Sequence, residues 1–386
     1  MKLTASWINN PAAKHIMSMF SDVGEEAFFV GGCVRNSLMS VAVSDLDMST
    51  SVRPERVMEL AESRGFKALP TGIDHGTVTV IVEGEPFEIT TFRKDVETDG
   101  RRAVVAFSDT LEDDARRRDF TMNALYARAD GAIVDPLGGL SDLKARRVRF
   151  IDDPEQRIHE DYLRILRFFR FHAWYGDDDA GLDAEGLAAC AQNVEGLSSL
   201  SKERVGAEVL KLLSAPEPDR AVAAMDHAGV LNALLPGAST KAFFLLTSFE
   251  QSVDPIVRLA ALGRFDVAKI LRLSKQQSRQ YDALRTYAEG TESIAEIAYR
   301  DGDKMAWDVA ALRAAFFEQP LDASLAAEIE RAGGAQFPIF AKDLMTDYSG
   351  PALGKVLQDL ERAWIESGFH LTHEDLMKKA GRDGSI

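Results

Sequence analysis

The sequence predicts an α+β protein, with a mixed-sheet N-terminal portion to about residue 150 and an all-helical remainder. Three observations predict it. Short apolar, β-rich runs such as Ala27 to Val30, Thr77 to Val82 and Phe87 to Phe92 lie early in the chain. After Asp152-Asp153-Pro154 almost every periodic segment as far as Leu376 is helical, rich in Ala and Leu and poor in β-branched runs. The chain has 386 residues, 46% hydrophobic and 27% charged, enough for two or three domains with a large core.

The first element is an amphipathic helix over 12–23, with Ile16, Met19 and Phe20 on one face. Ala27 to Val30 is a strand running into Gly31-Gly32, and Val34 to Met39 begins a helix. Ser44 to Met48 is the next strand, and Pro54 to Arg64 a helix. Glu83-Gly84-Glu85-Pro86 joins two strands as a hairpin. The second of these sets Phe87, Ile89 and Thr91 on one face and Glu88, Thr90 and Phe92 on the other. Val104 to Phe107 reads as a further strand. Thr372 followed by Glu374-Asp375 caps a last helix from Glu374 to Lys379.

No apolar run approaches the roughly 18 residues that span a bilayer. The N-terminus lacks an apolar signal core, and Cys33 and Cys190 make neither a disulfide framework nor a zinc site. A cytoplasmic protein is the simplest reading. The net charge of −16 argues against a nucleic-acid partner when taken alone. It is unevenly spread: basic residues outnumber acidic ones between Lys144 and His172, and Arg116, Arg117 and Arg118 are consecutive.

Four constellations carry chemistry. Asp45 and Asp47, at i and i+2 on a strand, share a face and supply two carboxylates to a divalent metal; a solvated strand edge has the same pattern. Glu88 adds a third if its strand lies alongside, and is otherwise a solvent-facing residue. Gly31-Gly32 leading into a helix with Arg35 offers backbone donors and a cation to phosphate, or is an ordinary turn. Arg116-Arg117-Arg118-Asp119 runs into Phe120, Met122 and Leu125, whose packing would hold at least one Arg in place. Finally, Asp161, Arg164, Arg167 and Arg170 recur every three residues as one helical ridge. Asp161 is able to accept from an exocyclic amino group and Arg164 to donate to the adjacent base acceptor, as cytosine and adenine require. Intrahelical ion pairs produce the same spacing.

Together and in this order these elements resemble the class II tRNA nucleotidyltransferase and poly(A) polymerase family. The resemblance covers roughly residues 25–210. It rests on Gly31, Gly32, Val34, Arg35, Asp45, Asp47 and Thr50, on Arg117 to Ala124, and on Glu160 to Phe171. Asp135 to Gly139 and Ser201 to Arg204 are also similar to family segments. The resemblance implies a five-stranded nucleotidyltransferase-type head over 1–150, a helical neck with a nucleotide-selecting helix over 151–215, and a helical, tRNA-binding body and tail over 216–386. It implies Asp45, Asp47 and Glu88 as catalytic residues, with Mg²⁺ on Asp45 and Asp47. Gly31, Gly32, Arg35 and Arg118 would meet the triphosphate and ribose. Asp161 and Arg164 would select the base, with Arg167 and Arg170 in support.

Within the family the chain is most similar to the bacterial CCA-adding form. His75 to Val80, the run from Glu88 to Arg93, and Asp95 with the Asp99-Gly100-Arg101 segment, which resemble a flexible loop, carry that likeness. The implied partners are the tRNA 3′ end and acceptor arm, CTP and ATP, with no membrane and no protein partner. Poly(A) addition, and a non-catalytic nucleotide- or RNA-binding protein, are the alternatives. Asn36, Ser40 and Ala103 depart from the usual Asp, Gly and Pro of relatives.

Overall fold

A seven-stranded mixed sheet organises the N-terminal part of the chain. The structure, a computed structural model, describes residues 1–98, 103–177 and 179–383. The Asp99-Gly100-Arg101 part of the expected loop, and the end of the tail at 384–386, lie outside the described residues.

The strands are β1 (Ala27–Val30), β2 (Asp47–Thr50), β3 (Lys67–Gly72), β4 (Thr77–Val82), β5 (Glu85–Thr91), β6 (Arg93–Thr98), β7 (Ala103–Phe107), β8 (Tyr126–Ala127) and β9 (Ile133–Val134). The main sheet has the order β3-β4-β5-β2-β1-β8-β9, while β6 and β7 pair separately. The two-residue β8 and β9 account for the excess over the five strands expected. Among the described strands only β2 and β5 run parallel, with Asp47 opposite Glu88. Edge strand β3 escapes the sequence reading because Pro70 and Gly72 dilute its pattern, and proline is tolerated at a sheet edge.

All four residues of β1 are buried, as a strand covered on both faces requires. In β4, Val78, Val80 and Val82 are buried while alternate residues are half-exposed. The β4–β5 turn is two residues, Glu83 and Gly84, both with positive φ as a primed hairpin turn demands. Strand β2 starts at Asp47 rather than Ser44. Its neighbour β1 has already turned at Gly31, so the chain upstream of Asp47 finds no partner on that side. Asp45 therefore sits in a loop.

The chain forms two compact units, Met1–Pro236 and Gly237–Ile386. In the first, the helices are α1 (Pro11–Ser21), α2 (Gly32–Leu38), α3 (Pro54–Ser63), α4 (Leu111–Arg116), α5 (Gly139–Lys144), α6 (Pro154–Glu160), α7 (Leu163–Tyr175), α8 (Ala184–Gln192), α9 (Lys202–Leu213), α10 (Asp219–His227) and α11 (Val230–Leu234). The Asn10 side chain caps α1, whose Ile16, Met19 and Phe20 are buried as expected. The expected boundary at 216 falls inside this unit because α10 packs back on α7, with Ala173, Ala215 and Ala221 in contact. Head and neck share an aromatic cluster: Phe120 lies 5.0 Å from both Phe150 and Phe171, and Phe150 stacks on Phe168 at 5.4 Å.

The second unit is helical throughout its described residues, save for loops. Its Arg258 is 1% exposed and paired with Glu250. A separate cluster around Trp364, Leu360 and Leu376 holds its C-terminal helices. The last helix spans His373–Asp383; Thr372 Oγ1 accepts from the Asp375 N–H, and the Asp375 carboxylate accepts from the Thr372 N–H, a reciprocal cap.

Phe120→Ala is expected to destabilise the first unit by about 3–5 kcal/mol, since it empties the centre of the aromatic cluster. A shift in the denaturant transition of that unit checks this.

Candidate active site

Gly31 has φ +69° and ψ −117°, a conformation open to glycine and costly for other residues. It turns β1 into α2 beside the Arg118 guanidinium, whose Nη1 would lie 3.4 Å from a Cβ at this position. Arg118 is held on its other sides: Nε donates to the Tyr126 hydroxyl at 3.1 Å and Nη2 to Asp114 at 3.0 Å. Asp114, fully buried, also accepts from Arg117 and Tyr126. Burial would raise the Asp114 carboxyl, but the charges of Arg118 and Arg117 override it and bring it to about 2. The sequence expectation that at least one arginine of the triplet is held in place is met by Arg118 and by Arg117, both on the Asp114 carboxylate.

Asp47 begins β2 directly beside Glu88 of β5. Its carboxyl lies above its ordinary value, first through burial, then through the Glu88 charge, with Asp45 adding and Arg118 opposing. Two neighbouring carboxylates thus act on Asp47 at the edge of the cleft. Asp45 accepts from the Ser44 hydroxyl at 2.7 Å. Among the described residues no three His, Cys, Asp or Glu side chains close into a ready-made metal cage. Hard oxygen donors set side by side on β2 and β5, with Asp45 two residues upstream, fit a divalent cation that takes its other ligands from phosphate and water.

Arg35 is 7% exposed and fully engaged. It donates to the Asn123 side-chain oxygen, to the Tyr175 hydroxyl at 2.8 Å and to Asn36 Oδ1 at 2.8 and 3.1 Å. Its guanidinium lies 4.0 Å from the Tyr175 ring centre. Asn123 in turn donates to Asp119 Oδ1 at 2.8 Å, and Asp119 Oδ2 accepts from Arg167 Nε at 2.7 Å. Burial alone would raise Asp119; Arg167 and Asn123 bring it to about 2.

The ridge is broken at its first member. Asp161 is extended, at φ −155° and ψ 105°, between α6 and α7, so only Arg164, Arg167 and Arg170 ride on α7. The Asp161 side chain accepts from the Leu163 N–H at 3.1 Å, the local bond that lets Asp residues close one helix and open another. Its other oxygen accepts from Arg204 at 2.5 Å. Arg164 donates to Glu160 at 2.6 Å and to the Arg157 carbonyl at 2.8 Å. Arg170 pairs with Glu208 at 2.5 Å and covers Phe171.

A cleft of about 390 Å³ in the first unit is lined by Gly31, Gly32, Arg35, Asp47, Arg118, Asp161, Arg164 and Arg167 together. Asp45 instead lines an adjoining groove with Glu85 and Pro86. Glu88 adjoins the cleft through Asp47, and Arg170 supports it from behind through Glu208. Asn123, Asp119 and Arg204 also line the cleft, yet sequence reasoning gave them no role. For Arg204 the signal was the Ser201 to Arg204 segment, where Ser201 caps α9 and sets Arg204 in its first turn.

A mixed sheet with a glycine turn, paired carboxylates and a cation-lined cleft defines a nucleotidyltransferase. The poly A polymerase head domain model matches residues 27–149, and a model described as the probable RNA and SrmB-binding site of polymerase A matches 181–241. The mitochondrial CCA tRNA nucleotidyltransferase 1 of Mus musculus is 32% identical, over 94% of this chain and 88% of that protein. The CCA-adding enzyme of Limosilactobacillus fermentum is 30% identical over 96% of both. The Bacillus stearothermophilus CCA-adding enzyme in complex with CTP superposes with a TM-score of 0.78 at 28% identity, over 98% of this chain and 100% of that one. The chain belongs to the CCA-adding tRNA nucleotidyltransferase family.

Asp114 and Asp119 titrate near 2 when folded, against about 3.9 unfolded. Their stabilisation is complete above about pH 4 and is lost as pH falls towards 2. Asp119→Asn should flatten this acid limb, read as the urea midpoint between about pH 5 and 2.

Proposed function

We propose that the chain adds C, C and A to the 3′ end of tRNA from CTP and ATP without a nucleic-acid template, releasing pyrophosphate, in the cytoplasm. One observation carries this reading: the phosphate-side residues Gly31, Gly32 and Arg118 and the base-side residues Asp161 and Arg164 line the same cleft with Asp47. Family membership over nearly the whole chain supports it.

Enzymes of this family depend on a divalent metal, here taken to be Mg²⁺ held by Asp45 and Asp47 with Glu88 beside them. When bound, it neutralises the triphosphate and activates the attacking hydroxyl. The Gly31-Gly32 turn and Arg118 receive the triphosphate, Arg118 being pre-set by Asp114 and Tyr126. Asp161 accepts the exocyclic amino group of cytosine or adenine, and Arg164 donates to the neighbouring ring acceptor. Glu160 and the Arg157 carbonyl hold Arg164 for that task, so little ordering remains to be done on binding. Arg35 and Arg167 are fixed through Asn123 and Asp119, and Arg170 backs them through Glu208. The helices beyond residue 216 are assigned to the tRNA.

The deciding assay gives the purified protein tRNA that ends before CCA, with each nucleotide singly and mixed. Three added residues and then a stop is the expected result; a long A tail would mean a poly(A) polymerase, and binding without turnover a non-catalytic protein. Asp47→Ala should lower incorporation of labelled CTP by about 10³-fold, from several kcal/mol of lost charge stabilisation. Asp161→Ala should relax the choice among the four nucleotides, measured by their relative kcat/KM.

A further inference from the structure

Asn36 stands at the joint between the cleft and the metal-side loop. Its Oδ1 accepts from Arg35 Nε at 3.1 Å and Nη2 at 2.8 Å, while its Nδ2 donates to the Ala42 carbonyl at 2.9 Å. Its own carbonyl accepts from the Val41 N–H at 2.8 Å. Residues 41–46 have no regular structure and end in Asp45 and Leu46 before β2 begins. Among the described residues, and outside the β2 ladder, the Asn36 amide makes the one hydrogen bond that ties residues 42–46 to another element. Among the described residues the Asp45 carboxylate itself is anchored only locally, by Ser44. Its position is therefore set by the two ends of the loop: β2 pairing downstream and Asn36 upstream. Ser40, with φ +58°, bends the chain between them in a left-handed conformation that few non-glycine residues adopt.

We infer that Asn36 is a positioning residue: its amide oxygen orients Arg35 in the cleft, and its amide nitrogen straps the loop that presents Asp45. The inference rests on the metal-site reading of Asp45 and Asp47. A carboxylate would keep the acceptor for Arg35 and lose the donor to Ala42, so the two ends are separable by one substitution.

The test compares wild type, Asn36→Asp, Asn36→Ala and Asp45→Ala. Mn²⁺ binding is followed by the electron paramagnetic resonance of the free ion, with a non-hydrolysable CTP analogue present. Amide exchange over 41–46 and the KM for CTP at saturating metal are measured alongside. Asn36→Asp should weaken Mn²⁺ binding about tenfold, the effect of losing a residue that orients a metal ligand, and speed exchange over 41–46. Its KM for CTP should stay within about twofold of wild type, because the grip on Arg35 is kept. Asn36→Ala should show the same two changes together with a raised KM. If Asn36→Asp fails to fold, Asn36→Ala must still show weaker Mn²⁺ binding and faster exchange. Wild-type Mn²⁺ affinity and exchange in both variants overturns the inference, as does a raised KM in Asn36→Asp with metal binding unchanged. If Asp45→Ala also binds Mn²⁺ normally, the metal-site reading itself has failed, which the Asn36 variants alone would not reveal.

Discussion

The Asp119 carboxylate is the constraint from which the rest of the site hangs. It is buried, and it accepts from the Phe120 N–H, the Asn123 amide and the Arg167 guanidinium. Asn123 passes the contact on to Arg35 and thence to Tyr175; Arg167 passes it to Glu208 and, through it, Arg170. One charge thus aligns α2, the segment after α4, α7 and α9. A buried ion pair of this kind contributes little against a well-packed apolar pair, but breaking it strands a charge. Its role is to specify one arrangement of head against neck, and the Phe120 cluster supplies the apolar burial that makes the arrangement stable.

The site also reconciles an acidic protein with an anionic substrate. The chain carries a net charge of −16, yet the cleft is lined by Arg35, Arg117, Arg118, Arg164, Arg167 and Arg204 against Asp47, Asp119 and Asp161. The local field, not the total, meets a triphosphate. Each of these arginines is oriented by a carboxylate, an amide, a hydroxyl or a carbonyl. Such cations lose little conformational freedom on binding, which is what preorganised electrostatic catalysis requires. Asp161 and Arg164, the pair proposed to read the base, are arranged the same way, Asp161 by Arg204 and Arg164 by Glu160.

Much of this was legible residue by residue. The strand β5 alternation placed Glu88 on the exposed face opposite Phe87, Ile89 and Thr91, and those three are buried. Gly31 was legible because a turn with positive φ leaves few alternatives. Less legible were places where partners decide. Asp45 was expected on a strand, but a strand needs a neighbour, and β1 had turned away. Asp161 was expected on a helix, but its side chain binds its own backbone two residues on and ends one helix there. The three-residue spacing of its arginines was real, and carried no information about that break.

The sequence by itself determined the class of chemistry: paired carboxylates, a glycine turn, an arginine-aspartate segment and an arginine ridge, in an order that defines the family. Those are local patterns, and spacing along the chain encodes them directly. Only the tertiary structure decided which charges face the cleft and which hold others in place. Asn36, Asp119, Asn123 and Arg204 owe their roles to partners on other elements or across a turn, and burial makes those partners obligatory. Satisfying a buried charge or amide is a demand of the folded interior, so it is met by whatever the fold brings near, and no spacing in the chain announces it.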